Sequence, residues 1–190
     1  PGGSSTRMIE PLFDAVGVDK SKVEIVATSP KVAPTLLIDK KIDAFTTWCF
    51  TMASIIKSQG FEPNCVYFAD YGFNVLGQGI IANTFYIQQN PEVIRGVVKA
   101  SIRGFQEAQK DIEGAVKAAK AHCEECDEAI IRENLTDASS MYHSKRTQGW
   151  IPGKASPEDW EESKKILVEF SGLDDRIPSE AYYDYSFMPQ

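Results

Sequence analysis

Two short stretches carry side chains suited to holding a small molecule. Gly3, Ser4, Ser5 and Thr6 place glycine backbone and three hydroxyls directly ahead of an apolar helical pattern. The free N–H groups at such a helix start attract an anion or the polar edge of a ligand, and glycines allow close backbone approach. The same residues also suit an ordinary capped helix, and the Gly-Lys-Ser/Thr ending of a phosphate loop is absent. In the second stretch, Ile42-Asp43-Ala44-Phe45-Thr46-Thr47-Trp48, Asp43 supplies a carboxylate, Thr46 and Thr47 hydroxyls and Trp48 a flat stacking surface. Read as a parallel strand, this segment would present those groups at its carboxyl end, where open α/β sheets bind ligands; the competing use of Trp48 is to fill a core.

Other chemistry-bearing groups lead to no site. His122, Cys123 and Cys126 cluster, but no second cysteine pair or histidine completes a zinc set, so Cys123 and Cys126 read as a disulfide or as two thiols at a helix junction. Cys49 and Cys65 read as buried thiols in or beside strands. His143 has no nucleophile elbow to serve, since Gly-x-Ser-x-Gly does not occur. Glu158, Asp159, Glu161 and Glu162 read as a solvated helix face, and the aromatic run Tyr182 to Phe187 as a tail docked on a core. No catalytic residue, metal or cofactor is assigned.

The elements that would position these groups alternate at first. A helix is expected from Ser4 to Val16, with a kink or a ragged first turn at Pro11, and ended by Gly17. Strands are expected at Ile25–Ala27, Ile42–Trp48, Cys65–Ala69 and Gly79–Ala82, with short helices around Val32–Leu37 and Met52–Ile56. Strand-helix-strand order implies a parallel sheet with right-handed crossovers. From Asn90 onward the pattern is helical. Asn90-Pro91-Glu92 opens a stripe running through Val116 as one long helix, and further helices follow at Asp127–Asn134, Thr136–His143 and Pro157–Phe170. The organisational seam falls between 1–78 and 79–190.

The 190 residues carry 20 basic and 27 acidic side chains, a net charge of −7. That balance, with no basic block, excludes the electrostatic footprint of a nucleic-acid binder. No apolar run approaches the roughly 18 residues of a membrane span. The opening has neither an initiator Met nor the basic and apolar regions of a leader, so the expectation is that either a leader and more were removed or the sequence is a piece of something longer.

The order of features carries a resemblance. Gly3-Ser4-Ser5-Thr6-Arg7, then Lys41-Ile42-Asp43-Ala44-Phe45-Thr46-Thr47-Trp48, Gly77-Gln78-Gly79-Ile80-Ile81-Ala82-Asn83, Asn90-Pro91-Glu92-Val93-Ile94-Arg95-Gly96, and the closing Trp160 and Tyr182-Tyr183 to Pro189 follow one another. This resembles the periplasmic solute-binding proteins of ABC importers, specifically the nitrate/sulfonate/taurine and thiamine-pyrimidine-precursor binders that share a fold with the fungal thiamine pyrimidine synthase. The resemblance implies an α/β, type II periplasmic-binding fold of two lobes with hinge crossovers, the first lobe incomplete in this chain. It makes 1–78 the second lobe without its first strand, and 79–190 a crossover strand and the helical end of the first lobe. Ser4, Ser5 and Thr6, beside Gly3, fall on the family's ligand loop, and Asp43, Thr46, Thr47 and Trp48 on its cleft-lining segment. The implied function is extracytoplasmic capture, between the two lobes, of a small polar or aromatic solute resembling a thiamine pyrimidine precursor, by a protein that is periplasmic or extracellular and lipid-anchored. Its implied partners are the solute, an ABC permease and the missing N-terminal lobe on the same or another chain. A nitrate, sulfonate or taurine ligand is the alternative, as is a pyrimidine-synthase-like enzyme. The chain departs from the family after Trp48, where Cys49, Phe50 and Thr51 stand in place of a nearby acid.

Overall fold

The computed structural model describes residues 8–189, so Gly3, Ser4, Ser5 and Thr6 lie outside the described residues. Eight α-helices follow one another there: α1 (Ile9–Val16), α2 (Ala33–Ile38), α3 (Cys49–Ser58), α4 (Thr84–Gln89), α5 (Pro91–Lys110), α6 (Ile112–His122), α7 (Glu128–Ser139) and α8 (Pro157–Ser171). No β-strand occurs among the described residues. The expected α/β architecture, a type II periplasmic-binding fold with sheets in its lobes, is therefore corrected to an all-helical one. The four expected strands remain non-helical backbone, with part of 65–69 tightened into a 3₁₀ turn at Phe68–Tyr71. Strand character in a short apolar run is a local preference, and a strand exists only when another lies alongside to pair its N–H and C=O groups. No two of these segments do so. Several of their β-branched residues accordingly stay in solvent: Ile25 is 62% exposed and Ile81 96%.

The chain divides into two compact units, one running through Val75 and taking in Lys165–Asp174, the other comprising Leu76–Lys164 and Asp175 onward. In the first, α1 packs on the Phe68–Tyr71 turn and α2 on α3. Met8, Leu12, Ala33, Ala53 and Ile56 are its buried apolar residues. Pro11 falls in the first turn of α1, where a missing N–H costs nothing. Gly17 ends the helix at φ 71°, and the Val18 amide returns to the Phe13 carbonyl at 2.9 Å. After α2 the same left-handed turn is made by a lysine: Lys40 has φ 57°, and the Lys41 amide reaches the Leu36 carbonyl at 2.8 Å. Phe73 meets Phe170 edge-on at 5.6 Å.

In the second unit α5, α6 and α7 pack on one another around Ile102, Ala108 and the fully buried Val116. Burying a valine of this kind contributes roughly 1.5–3 kcal/mol. The helix expected to run unbroken through Val116 stops at Asp111, whose carboxylate accepts the Gly114 amide at 2.8 Å and so starts α6 afresh. A Cβ on Gly114 would collide with that carboxylate, which would have to shift to admit it. Asp127 caps α7 likewise, accepting from Ala129 and Ile130. That helix takes in the one expected at Asp127–Asn134 and only the start of the one expected at Thr136–His143, stopping at Ser139. Arg132 on α7 grips Glu113 on α6 through two nitrogens, at 2.6 and 2.8 Å. The aromatic tail docks on α5, where Arg95 donates to the Ser186 carbonyl at 2.8 Å and lies over Phe187.

The acidic run at the start of α8 is not a uniformly solvated face. Ser156 and Asp159 form a reciprocal capping pair: the Asp159 amide donates to Ser156 Oγ, and the Ser156 amide to the Asp159 carboxylate. Asp159 is buried and also accepts from Ser144 Oγ and Arg146, both at 2.7 Å. Among the described residues, no helix is long and apolar enough to cross a membrane.

A candidate ligand-binding strip on α3

The first unit places Trp48 immediately before α3, as its N-cap residue, rather than at the end of a strand. Its carbonyl accepts the Thr51 amide at 3.1 Å and the Thr51 hydroxyl at the same distance, which seats the first turn. Its ring is 50% exposed and only tilts toward Phe50, 6.2 Å away between centroids. An indole this open is not core filling; its surface is available to a second flat ring.

Cys49, the first residue of α3, is bridged to Cys65. Neither is therefore the free thiol expected from sequence. The bridge ties the helix start, and Trp48 with it, to the segment leading into the Phe68–Tyr71 turn. Cys123 and Cys126, where the alternatives stood open, are also joined, in the turn between α6 and α7. There Lys120 Nζ donates to the Cys126 carbonyl at 2.8 Å.

Asp43, Thr46 and Thr47 sit in the non-helical segment just ahead of Trp48. Asp43 and Thr47 are exposed and Thr46 is half-buried. The structure thus keeps these three polar groups next to the indole by chain continuity. Gly3, Ser4, Ser5 and Thr6 are not placed beside them, since they lie outside the described residues. Among the described residues no three His, Cys, Asp or Glu side chains converge on a metal position.

The structure adds residues that the sequence reading did not assign. Trp48, Met52, Ile55 and Gln59 are spaced by four, three and four positions and so lie along one face of α3. Met52, Ile55 and Gln59 line a groove of about 260 Å³ whose other wall is Pro30, Lys31, Pro34 and Thr35 at the start of α2. The groove is apolar along its floor, with an ammonium, a hydroxyl and an amide at its edge. Its signal was present in the spacing of Met52 and Ile55. Assigning Trp48 to a strand hid the fact that the same helical face begins one turn earlier.

Residues 1–115, which contain the whole of this strip, match the NMT1/THI5 like family. The chain is also similar to the riboflavin-binding protein RibY of Chloroflexus aurantiacus (strain ATCC 29366 / DSM 635 / J-10-fl), with 23% identity over 137 residues. That stretch is 70% of this chain and 39% of RibY, so the chain spans well under half the length of that relative. With the family match extending over more than half of its residues, the chain belongs to the NMT1/THI5-like family.

Proposed function

We propose that this chain is part of a solute-binding protein that captures a small planar heteroaromatic outside the cytoplasm and delivers it to an ABC permease. The observation that carries this reading is the half-exposed Trp48 at the head of the Met52–Ile55–Gln59 face. A planar ring stacks on the indole and lays its apolar edge toward the groove, while Asp43, Thr46 and Thr47 meet its polar rim. The Gly3–Thr6 segment supplies further hydroxyls and N–H groups for an anionic or carbonyl substituent. Family membership supports a binding role, and RibY is a riboflavin-binding protein, riboflavin being a planar heteroaromatic of this kind. Two disulfides support an oxidising compartment, periplasmic or on the outer face of a membrane.

The test is a thermal-shift and calorimetric screen of riboflavin, the thiamine pyrimidine precursor, taurine and nitrate. A ligand at one hundred times its dissociation constant adds about 2.7 kcal/mol to stability. Stabilisation by the planar compounds and not by taurine or nitrate is expected. Stabilisation by taurine or nitrate alone reassigns the ligand class, and no response to any of the four overturns the reading.

A further inference from the structure

The loop from His143 to Ser156 holds a second concavity that the Trp48 reading does not use. Two hydrogen-bonded turns follow each other in it. The Trp150 amide returns to the Thr147 carbonyl at 3.0 Å, and the Lys154 amide to the Ile151 carbonyl at 3.2 Å. Each turn has a glycine in the left-handed region, Gly149 at φ 79° and Gly153 at φ 87°, a conformation that other residues adopt only with strain. Trp150 and Lys154 thus occupy the same final position of successive turns and are carried on a loop without regular structure.

Both ends of the loop are fixed. At one end Thr147 is 2% exposed and its hydroxyl accepts the Ser144 amide at 2.9 Å. Ser144 in turn donates to the buried Asp159. At the other end the Tyr185 hydroxyl accepts from the Ala155 amide and from Trp160 Nε1, both at 2.8 Å. Pro152 between them is buried. Loops held this firmly at their ends present side chains in a preset arrangement, which lowers the ordering cost of binding.

What the loop presents is an ammonium between two rings. Lys154 Nζ lies 5.6 Å from the Trp150 centroid and 5.9 Å from that of Tyr185. Gly149, Trp150, Ile151 and Lys154 line an open cavity of about 340 Å³, at the small end of ligand pockets. Arg146 is occupied by Asp159 and Glu162, whereas Lys154 has no ion-pair partner among the described residues. The segment 143–156 carries Lys145, Arg146 and Lys154 and no carboxylate, within a chain of net charge −7. A cation without an ion-pair partner beside an exposed indole and an isoleucine matches an anion attached to a flat apolar body.

We propose that the Trp150–Lys154 loop is a binding site for small aromatic carboxylates, separate from the strip headed by Trp48. The carboxylate pairs with Lys154, and the ring lies against the 40%-exposed Trp150 and Ile151.

The probes are 1-naphthoate, acetate and 1-naphthalenemethanol, which separate charge from plane. In ¹⁵N-labelled protein the indole N–H resonances of Trp48, Trp150 and Trp160 are assigned with W48F and W150F. Saturable movement of the Trp150 resonance with 1-naphthoate is expected, unchanged in W48F, with acetate and the neutral alcohol at least about tenfold weaker. Lys154→Gln should weaken 1-naphthoate by about tenfold and Lys154→Arg should restore it, both with the wild-type spectrum elsewhere. No saturable shift at Trp150, equal binding of the alcohol, or wild-type affinity in Lys154→Gln overturns the proposal. Tighter binding of a short acidic-aromatic peptide than of 1-naphthoate overturns it too, by making the loop a protein-docking surface.

Discussion

Arg146 reaches the carboxylate of Asp159, which is only 3% exposed, at 2.7 Å and extends the same guanidinium to Glu162. Burial alone would push the Asp159 carboxyl up. Hydrogen bonds from Ser144, Arg146 and Ser156 outweigh it and hold the group below the ordinary carboxylate value of 3.8. A carboxylate depressed in the folded state contributes stability that is complete above its unfolded pKa and is lost as pH falls through the native one.

Asp159→Asn should therefore lower stability at neutral pH by about 2 kcal/mol, since it weakens charge-assisted bonds inside the second unit. It should also flatten the loss of stability on acidification below about pH 4. Thermal unfolding followed by circular dichroism across pH 2–7 reads both effects. An acid limb as steep in the variant as in the wild type would remove Asp159 from the account.

Trp48→Ala should weaken a planar heteroaromatic ligand by about 1–3 kcal/mol, the range found for stacked base-aromatic pairs. Trp48→Phe should recover part of the loss. Isothermal titration with riboflavin gives the comparison. Equal affinities in all three proteins would place the ligand elsewhere.

Replacing both Cys49 and Cys65 with serine releases a bridge of sequence separation 16, whose closure entropy corresponds to about 3 kcal/mol. Replacing Cys123 and Cys126, separated by 3, should cost less, about 2 kcal/mol on the same reasoning. The first variant should in addition loosen the start of α3 and lower ligand affinity; the second should not. Urea unfolding of the two double variants, with titration of each, tests the order and the separation of effects.

Asp111 and Gly114 should be energetically coupled. Asp111→Ala removes a cap worth about 1 kcal/mol. Gly114→Ala gains about 1 kcal/mol of helix propensity but displaces that cap, so its net effect in the wild type is near zero. In the Asp111→Ala background the same substitution should stabilise by about 1 kcal/mol. Additive effects in this double-mutant cycle would show that the carboxylate does not sit over Gly114 in solution.

Lys40→Gly should be neutral or stabilising by up to about 1 kcal/mol, because a lysine at φ 57° pays a steric cost that glycine does not. Lys41→Gly, one residue on, lacks that compensation and should destabilise. Melting temperatures of the pair make the measurement.

Helix starts encoded within four residues were legible. Asn90-Pro91-Glu92 and Ser156-Pro157-Glu158-Asp159 each mark an observed first turn, at Pro91 and Pro157. Interactions that depend on a distant partner were not. The break at Asp111 was hidden because apolar periodicity continues across it, and a capping carboxylate looks like any exposed acid. Asp159 was hidden because its burial depends on Ser144 and Arg146, 15 and 13 positions away. The strand assignments failed for the same reason in larger form: Ile25, Ile42 and Ile80 have the right side chains, but pairing is a property of two segments. The run Asp43 to Trp48 is proposed for the site from residue types and its place ahead of α3. The groove beside it was not legible in the sequence, because it requires Trp48 to begin a helix and α2 to lie against α3.

The two bridges also bear on how the chain is made. Four cysteines admit three sets of pairs, and the observed set joins each cysteine to its nearest neighbour along the chain. Short loops close fastest and at the lowest entropic cost, so random encounter during oxidation favours the native set from the outset. Oxidative folding of this chain should accordingly make little demand on disulfide isomerases, and air oxidation of reduced protein should return one dominant species.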